Sequence, residues 1–296
     1  MAPRAGPILK ALSASYSTLK LTTAKDAKSA QVAELIASFT SAAVDFLSTC
    51  PRVPLVSKVP QKTYFSFAKP GKKGKLSRAV NDGLFDPSSA QYLDHLIHGT
   101  LNRIPLPERA RFLYTMAISY CCAADLLKSG DQKTPATFFE CLIGHLFARA
   151  FGVNQRTQVE VLQLEDEKRT LPTDFIYDLG PARPKFHVPV KTSTRERVIQ
   201  VFAHQRVLDG VHGFGKFKGI LVCLAETKLN HTSREVVEIC VPKQWNLYYR
   251  FIAVMHRFYY FDVPQKYADL ASGDPPMAVV PFAKFFDEVT DLAAGR

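Results

Sequence analysis

The stretch Thr173–Gln200 reads TDFIYDLGPARPKFHVPVKTSTRERVIQ. It holds two apolar runs, FIYDL and KFHVPVK, separated by the turn-forming residues of LGPARP. Runs of this length, rich in β-branched and aromatic residues and bounded by Gly and Pro, read as consecutive strands. Asp174 opens the first and Lys191 closes the second. A hairpin of that size can bring both ends to one edge of a sheet. Taken singly, each has an ordinary explanation: an acid at a turn, and a lysine whose stem snorkels to solvent. Arg195, Glu196 and Arg197 follow, opening the amphipathic pattern STRERVIQVFAHQRVLD with Ser193 or Thr194 as expected cap. Three adjacent charges usually form a solvated face. Here the positive end of the helix dipole suits the glutamate but not the two arginines.

Outward from this stretch, TQVEVLQL alternates like a strand, and KGILVCLAE and REVVEICVP suit central strands. PKQWNLYYRFIAVMHRFYY reads as a C-terminal helix. Upstream, the apolar spacing is helical in AKSAQVAELIASFTSAAVDFLSTC, PSSAQYLDHLIHGTLNRI, LPERARFLYTMAISYCCAADLLK and SGDQKTPATFFECLIGHLFARAFG. In the last of these Thr134 is the expected N-cap, Pro135 the first helical residue and Gly152 the stop. The order predicts a mixed α/β core with a helical N-terminal extension. Residues 1–130 are expected to form a mainly helical region. Residues 131–296 are expected to form the core, the two making one compact unit.

At 296 residues with 47% hydrophobic side chains, the chain can bury a sizeable core. A net charge of +11 favours a polyanionic partner, nucleic acid before an anionic membrane. No run approaches the length of apolar residues that a membrane-spanning helix needs. Asp26 is the first acid. The stretch before it suits a basic arm lying on a phosphate backbone, or a transit peptide. Cys50, Cys121, Cys122, Cys141, Cys223 and Cys240 include no CxxC pair. They read as reduced, buried thiols of a cytoplasmic protein.

Glu140 is the one acid inside the apolar helix TPATFFECLIGHLFA. It is either an exposed helical glutamate or a carboxylate that something must hold. The basic segment KTYFSFAKPGKKGKLSR offers Lys69, Lys72, Lys73 and Lys75 for phosphate contacts. Its Tyr64, Phe65 and Phe67 could stack on a base or form a plain hydrophobic hairpin. GVHGFGKFKG lacks the GK[ST] ending of a phosphate loop. The stripe from Trp245 to Tyr260 reads as core or subunit interface.

An acid, a turn and an apolar strand ending in lysine together resemble the PD-(D/E)XK nuclease core. More narrowly, Lys191 followed by Arg195, Glu196 and Arg197 resembles type II restriction endonucleases of the EcoRII/NgoMIV clade, which cut sites built on CCGG, CCNGG or CCWGG. The resemblance covers about Thr134 to Asp209, and the lysine with its RER cluster is its specific part. It implies Asp174, Lys191 and Glu140 in catalysis. It also implies Mg²⁺ on Asp174, Glu140 and the Val190 carbonyl, and base reading by Arg195, Glu196 and Arg197. Two positions depart from the pattern. Pro189 stands where the triplet's acid belongs, and the place where the clade supplies an acid from the next helix reaches His204 and Gln205. One of these would then contribute a neutral ligand or a water contact.

The resemblance further implies double-stranded DNA as substrate, a homodimer or tetramer reading a palindrome, a cognate DNA methyltransferase, and a bacterial cytoplasmic setting. Two rival functions remain. One is a non-cleaving sequence-specific DNA-binding protein with a nuclease-like fold. The other is a structure-specific repair or recombination nuclease.

Overall fold

The computed structural model describes residues 5–71, 75–128, 130–131, 133–164 and 167–296. The chain forms two compact units, Met1–His145 with Thr227–Glu238, and Leu146–Glu226 with Ile239–Arg296. In chain order the elements begin with α1 (Ala5–Asp26), α2 (Ala30–Ser48), β1 (Arg52–Pro54), β2 (Val56–Ser57), β3 (Tyr64–Phe67) and β4 (Val80–Asn81). Next come α3 (Leu93–His98), α4 (Leu106–Leu127) and α5 (Lys133–Phe151). β5 (Arg156–Leu164), β6 (Glu167–Asp178), β7 (Lys185–Val188), β8 (Val190–Lys191), α6 (Val198–His212) and β9 (Phe217–Cys223) follow. The chain closes with β10 (Thr227–Asn230), β11 (Glu235–Glu238), α7 (Pro242–Phe251), β12 (Arg257–Tyr260), α8 (Gln265–Ala268), β13 (Val279–Pro281) and α9 (Phe285–Ala293).

The first unit contains a helical layer and two small sheets, β1-β3-β4 and β10-β11-β2. α2 is long and apolar enough to cross a bilayer, but half of it is buried in this unit. It lays Val32, Ile36, Phe39, Ala43 and Phe46 inward, at the helical spacing of a core face. Ser29 caps its N-terminus by accepting the Val32 N–H. From Ala5 on, the acid-free N-terminal stretch forms α1, whose Leu19 is fully buried. α5 also starts differently from expectation. Asp131, not Thr134, supplies the capping oxygens, accepting the backbone N–H of Thr134 at 2.9 Å and its hydroxyl at 2.5 Å.

The second unit is built on a seven-stranded mixed sheet of order β13-β12-β9-β7-β6-β5, with β8 pairing β9. β5, β6 and β7 pair antiparallel. β7 and β8 pair parallel with β9, as do β12 with β9 and β13 with β12. Strand alternation sorts β6 between two cores. Ile176 packs with Leu208 of α6 and with Phe217. Its neighbour Tyr177 stacks on Phe147 of α5, ring centroids 5.7 Å apart. Phe285 joins that second face, 4.1 Å from Phe147. Asp174, two residues before Ile176, therefore belongs to the α6 face.

The expected C-terminal helix stops at Phe251, and RFYY is instead β12, inside the sheet. Phe258 and Tyr260 pack on Trp245 and on Val198, Val201 and Phe202 of α6. This is the core role expected of the aromatic stripe, although Phe251 is exposed. β11 is also displaced from its expected central place and pairs with β10 and β2 in a small sheet. All six cysteines are free thiols, and only Cys240 is incompletely buried.

Candidate active site

The segment expected as one strand, KFHVPVK, is broken by Pro189 into β7 and β8. Proline carries no N–H for the ladder, so a strand is interrupted there. The pairing of β7 with β6 ends at Val188 opposite Phe175. Beyond it, the N–H of Val190 finds the Asp174 side chain and donates to Oδ2 at 2.7 Å. The Lys191 ammonium donates to the same oxygen at 2.6 Å. Pro189 and Lys191 give their carbonyls to β9, bonding the N–H groups of Val222 and Leu224. N–H and C=O of one strand residue point to the same side, so the Val190 carbonyl faces the side of Asp174. The Asp174 and Lys191 side chains are 21% and 26% exposed, open enough to meet a ligand.

A cavity of about 210 Å³ opens here, lined by Pro172, Thr173, Asp174, Pro189, Lys191, Gln200, Val201 and His204. Burial, and then the Lys191 cation, lower the His204 pKa below the ordinary histidine value, which favours a neutral ring. Gln205 lies elsewhere. It is buried, its amide donates to Asp209 at 3.0 Å and to the Phe217 carbonyl at 2.8 Å, and its oxygen meets Nδ1 of His187 at 3.1 Å. Of the two residues expected to replace the missing acid, only His204 reaches the cavity, while Gln205 is tied into the interior. Burial lowers the His187 pKa to about 4, so this ring is neutral. Gly219 pairs with His187 across the sheet, and an added Cβ there would lie 2.7 Å from Gln205 Oε1 and 2.5 Å from Met255 Sδ, so these side chains would have to shift.

A divalent ion prefers hard oxygen ligands, and Mg²⁺ commonly takes only one or two carboxylates together with water and substrate phosphate. Asp174 keeps Oδ1 clear of the hydrogen bonds that occupy Oδ2. Thr173 also borders the cavity. Asp174 Oδ1 and the Val190 carbonyl are oxygens of the kind such an ion takes. Among the described residues no group of three His, Cys, Asp or Glu side chains converges on a metal position. Glu140 is half-buried on α5 in the first unit, where its charge acts on Tyr16 and Cys141.

Arg195–Arg197 do not open the α-helix itself. They form a separate 3₁₀ turn, and α6 begins at Val198. Arg195 sits at φ +46°, a left-handed conformation that costs a non-glycine residue about 1–2 kcal/mol. Both arginines are exposed, and the side chain of Glu196 lies outside the described part. The expected caps do something else. Ser193 Oγ donates to Glu226 Oε2 at 2.8 Å, and the Thr194 hydroxyl donates to Glu226 Oε1. Glu226, which is 1% exposed, was not singled out in the sequence. An acid ending the apolar run KGILVCLAE was its one available signal.

The basic segment of the first unit is mostly committed to structure. Arg78 makes a forked pair with Asp125 at 2.8 and 2.9 Å, and Lys75 donates to the Leu126 carbonyl near the end of α4 at 2.9 Å. Lys69 is half-buried, while Lys72 and Lys73 lie outside the described residues. Tyr64, Phe65 and Phe67 are buried, and Phe65, Phe67 and Phe85 pack edge-to-face. These aromatics are a hydrophobic core, not a stacking surface for a base.

No family model and no curated sequence matches the chain. Among solved structures, the Type IIP restriction endonuclease Kpn2I superposes with a TM-score of 0.77 at 22% identity, covering 95% of this chain and 96% of its own. Restriction endonuclease PspGI, solved as a complex with substrate DNA, aligns with a TM-score of 0.41 at 14% identity over 70% of this chain and 79% of its own. The Kpn2I likeness shows that the chain has a restriction-endonuclease fold, as the sequence resemblance implied.

Proposed function

We propose that this protein is a type II site-specific endodeoxyribonuclease. It hydrolyses double-stranded DNA at a short palindrome containing CC and GG, in a reaction that depends on Mg²⁺. The observation that carries the reading is the joined pair Asp174–Lys191 at the break that Pro189 makes between β7 and β8, with the RER turn following after three intervening residues in the chain. The restriction-endonuclease fold supports it.

In this reading Asp174 and the Val190 carbonyl hold the ion, with Glu140 as a further acid. Bound Mg²⁺ supplies Lewis-acid polarisation of a phosphate oxygen and a more acidic water. Lys191 faces the scissile phosphate, orients the attacking water and offsets charge that builds on the phosphoryl oxygens. Asp174 holds the ammonium and so fixes where that positive charge stands. His204, neutral and on the cavity wall, offers a lone pair to a water or to the ion. Arg195 and Arg197 donate to guanine O6 and N7, and Glu196 accepts from cytosine N4. Lys69, Lys72, Lys73 and Lys75 supply backbone affinity. A palindrome read by identical subunits calls for two-fold symmetry, hence a homodimer or a tetramer. A host carrying the enzyme needs a methyltransferase that protects the same site.

A second reading, specific binding without cleavage, is favoured by one observation: among the described residues, Asp174 is the single carboxylate lining the cavity. Supercoiled plasmid separates the two. Linear product with Mg²⁺, lost in EDTA and in Lys191→Ala, supports the nuclease. Intact plasmid together with a sequence-specific mobility shift supports the binding protein.

A further inference from the structure

We propose that Glu226 is a positioning residue for base recognition, holding the turn that presents Arg195, Glu196 and Arg197 to DNA. The inference rests on the nuclease reading and assigns its specificity in part to a residue that acts through the recognition turn.

Glu226 is buried and is part of no ion pair among the described residues. A charged carboxylate in that setting is costly unless hydrogen bonds replace its water. Here four of the six come from one turn. Oε1 accepts the Thr194 N–H at 2.9 Å and the Thr194 hydroxyl. Oε2 accepts Ser193 Oγ at 2.8 Å and the Arg195 N–H at 3.3 Å. From the sheet, Tyr260 Oη donates to Oε1 at 3.1 Å, and the Cys223 thiol lies 3.6 Å from it. Three consecutive residues, 193 to 195, are thereby pinned to the end of β9. The same turn leaves β8 immediately after Lys191, and the Lys191 carbonyl bonds the Leu224 N–H.

The strain supplies the reason for such an anchor. Arg195 adopts φ +46°, which an arginine does not hold unless its surroundings impose it. Four hydrogen bonds to Glu226 impose it from the residues just before and at that position. A bidentate arginine–guanine contact tolerates little displacement, so rigidity in this turn is specificity. A carboxylate that only stabilised the sheet would need no donors from the recognition turn.

The experiment compares wild type and Glu226→Gln on a cognate duplex, defined from wild-type fragment ends, and on duplexes with one C:G pair changed. The amide places a donor where the turn already presents donors, at nearly unchanged volume. The expected result is a folded variant whose ratio of cognate to altered-site kcat/KM falls at least tenfold. An unchanged ratio in a folded variant that cuts overturns the inference alone. If Glu226→Gln does not fold, Ser193→Ala and Thr194→Val each remove one hydroxyl donor and are read in the same way. A fall in either ratio supports the role, and unchanged ratios in both overturn it. A wild type that binds specifically without cutting is read by the ratio of Kd values. A wild type that neither cuts nor binds any sequence selectively overturns the proposed function, and this inference with it.

Discussion

The Lys191 ammonium stands 2.6 Å from Asp174 Oδ2, and the backbone N–H of the preceding residue, Val190, reaches the same oxygen at 2.7 Å. One carboxylate oxygen thus completes the strand edge that Pro189 interrupts and also fixes the cation beside the cavity. The other oxygen is left to a ligand. Structure and chemistry share one side chain, and this sets what its replacement does.

Asp174→Asn should lower cleavage by at least a thousandfold while sparing DNA binding, because the amide retains an acceptor for Val190 but loses the charge that an ion and Lys191 require. Plasmid cleavage rates and a mobility shift on the same preparation check it. Cleavage above a tenth of wild type would remove Asp174 from the site.

Glu140→Gln tests whether the acid of α5 serves the reaction. The nuclease reading expects cleavage to fall and the Mg²⁺ concentration for half-maximal rate to rise, at unchanged thermal stability. An unaltered Mg²⁺ titration would leave Asp174 as the sole acidic ligand.

Glu196→Ala should cost about 1–3 kcal/mol of discrimination at one C:G pair, with non-specific affinity changed little. Lys69→Ala should weaken binding about equally on all sequences and flatten its salt dependence. Binding isotherms on matched duplexes at several salt concentrations distinguish a base contact from a phosphate contact.

His187 makes stability dependent on pH. Its folded pKa, about 4, lies below the ordinary value near 6.5, so the unfolded chain binds the extra proton between these limits. Its contribution is present in full above pH 6.5 and is lost as pH falls toward 4, to a limit of roughly 3 kcal/mol. Urea unfolding in metal-free buffer should show a decline over that window that is shallower in His187→Asn. Equal slopes would mean that the ring is protonated in the folded protein.

Arg78 and Asp125 form a forked, largely buried pair in the first unit, and Asp125 also accepts the Arg78 N–H at 2.9 Å. Asp125→Ala leaves that guanidinium uncompensated and should destabilise the fold by roughly 3 kcal/mol. A thermal midpoint unchanged within a degree would contradict the count of bonds at this carboxylate.

Asp174 and Lys191 were legible because strand alternation, a Gly/Pro turn and two charges at run ends are local signals. The paired core helices α2 and α4 were legible for the same reason. What depended on distant partners was not. Glu226 draws its donors from residues 31 to 34 positions away, and from one thiol nearby, so nothing around it announces a clamp. RFYY follows the helix α7 with no glycine or proline between them, and aromatic residues suit either state. Its pairing with β9 and β13 decides for a strand. Ser193 and Thr194 have the chemistry of caps, yet a buried carboxylate outcompetes the helix N-terminus for their hydroxyls. The basic loop looked like a phosphate surface because sequence shows charges without their partners, and Asp125 and the end of α4 claim two of those cations.

The most direct measurement is to incubate the purified protein with phage λ DNA and Mg²⁺ and to sequence the fragment ends. Discrete ends sharing one palindrome with adjacent C:G pairs are the predicted result, absent from Lys191→Ala and from EDTA controls. Uncut DNA, or ends scattered without a common sequence, would contradict a site-specific nuclease built on Asp174, Lys191 and the RER turn.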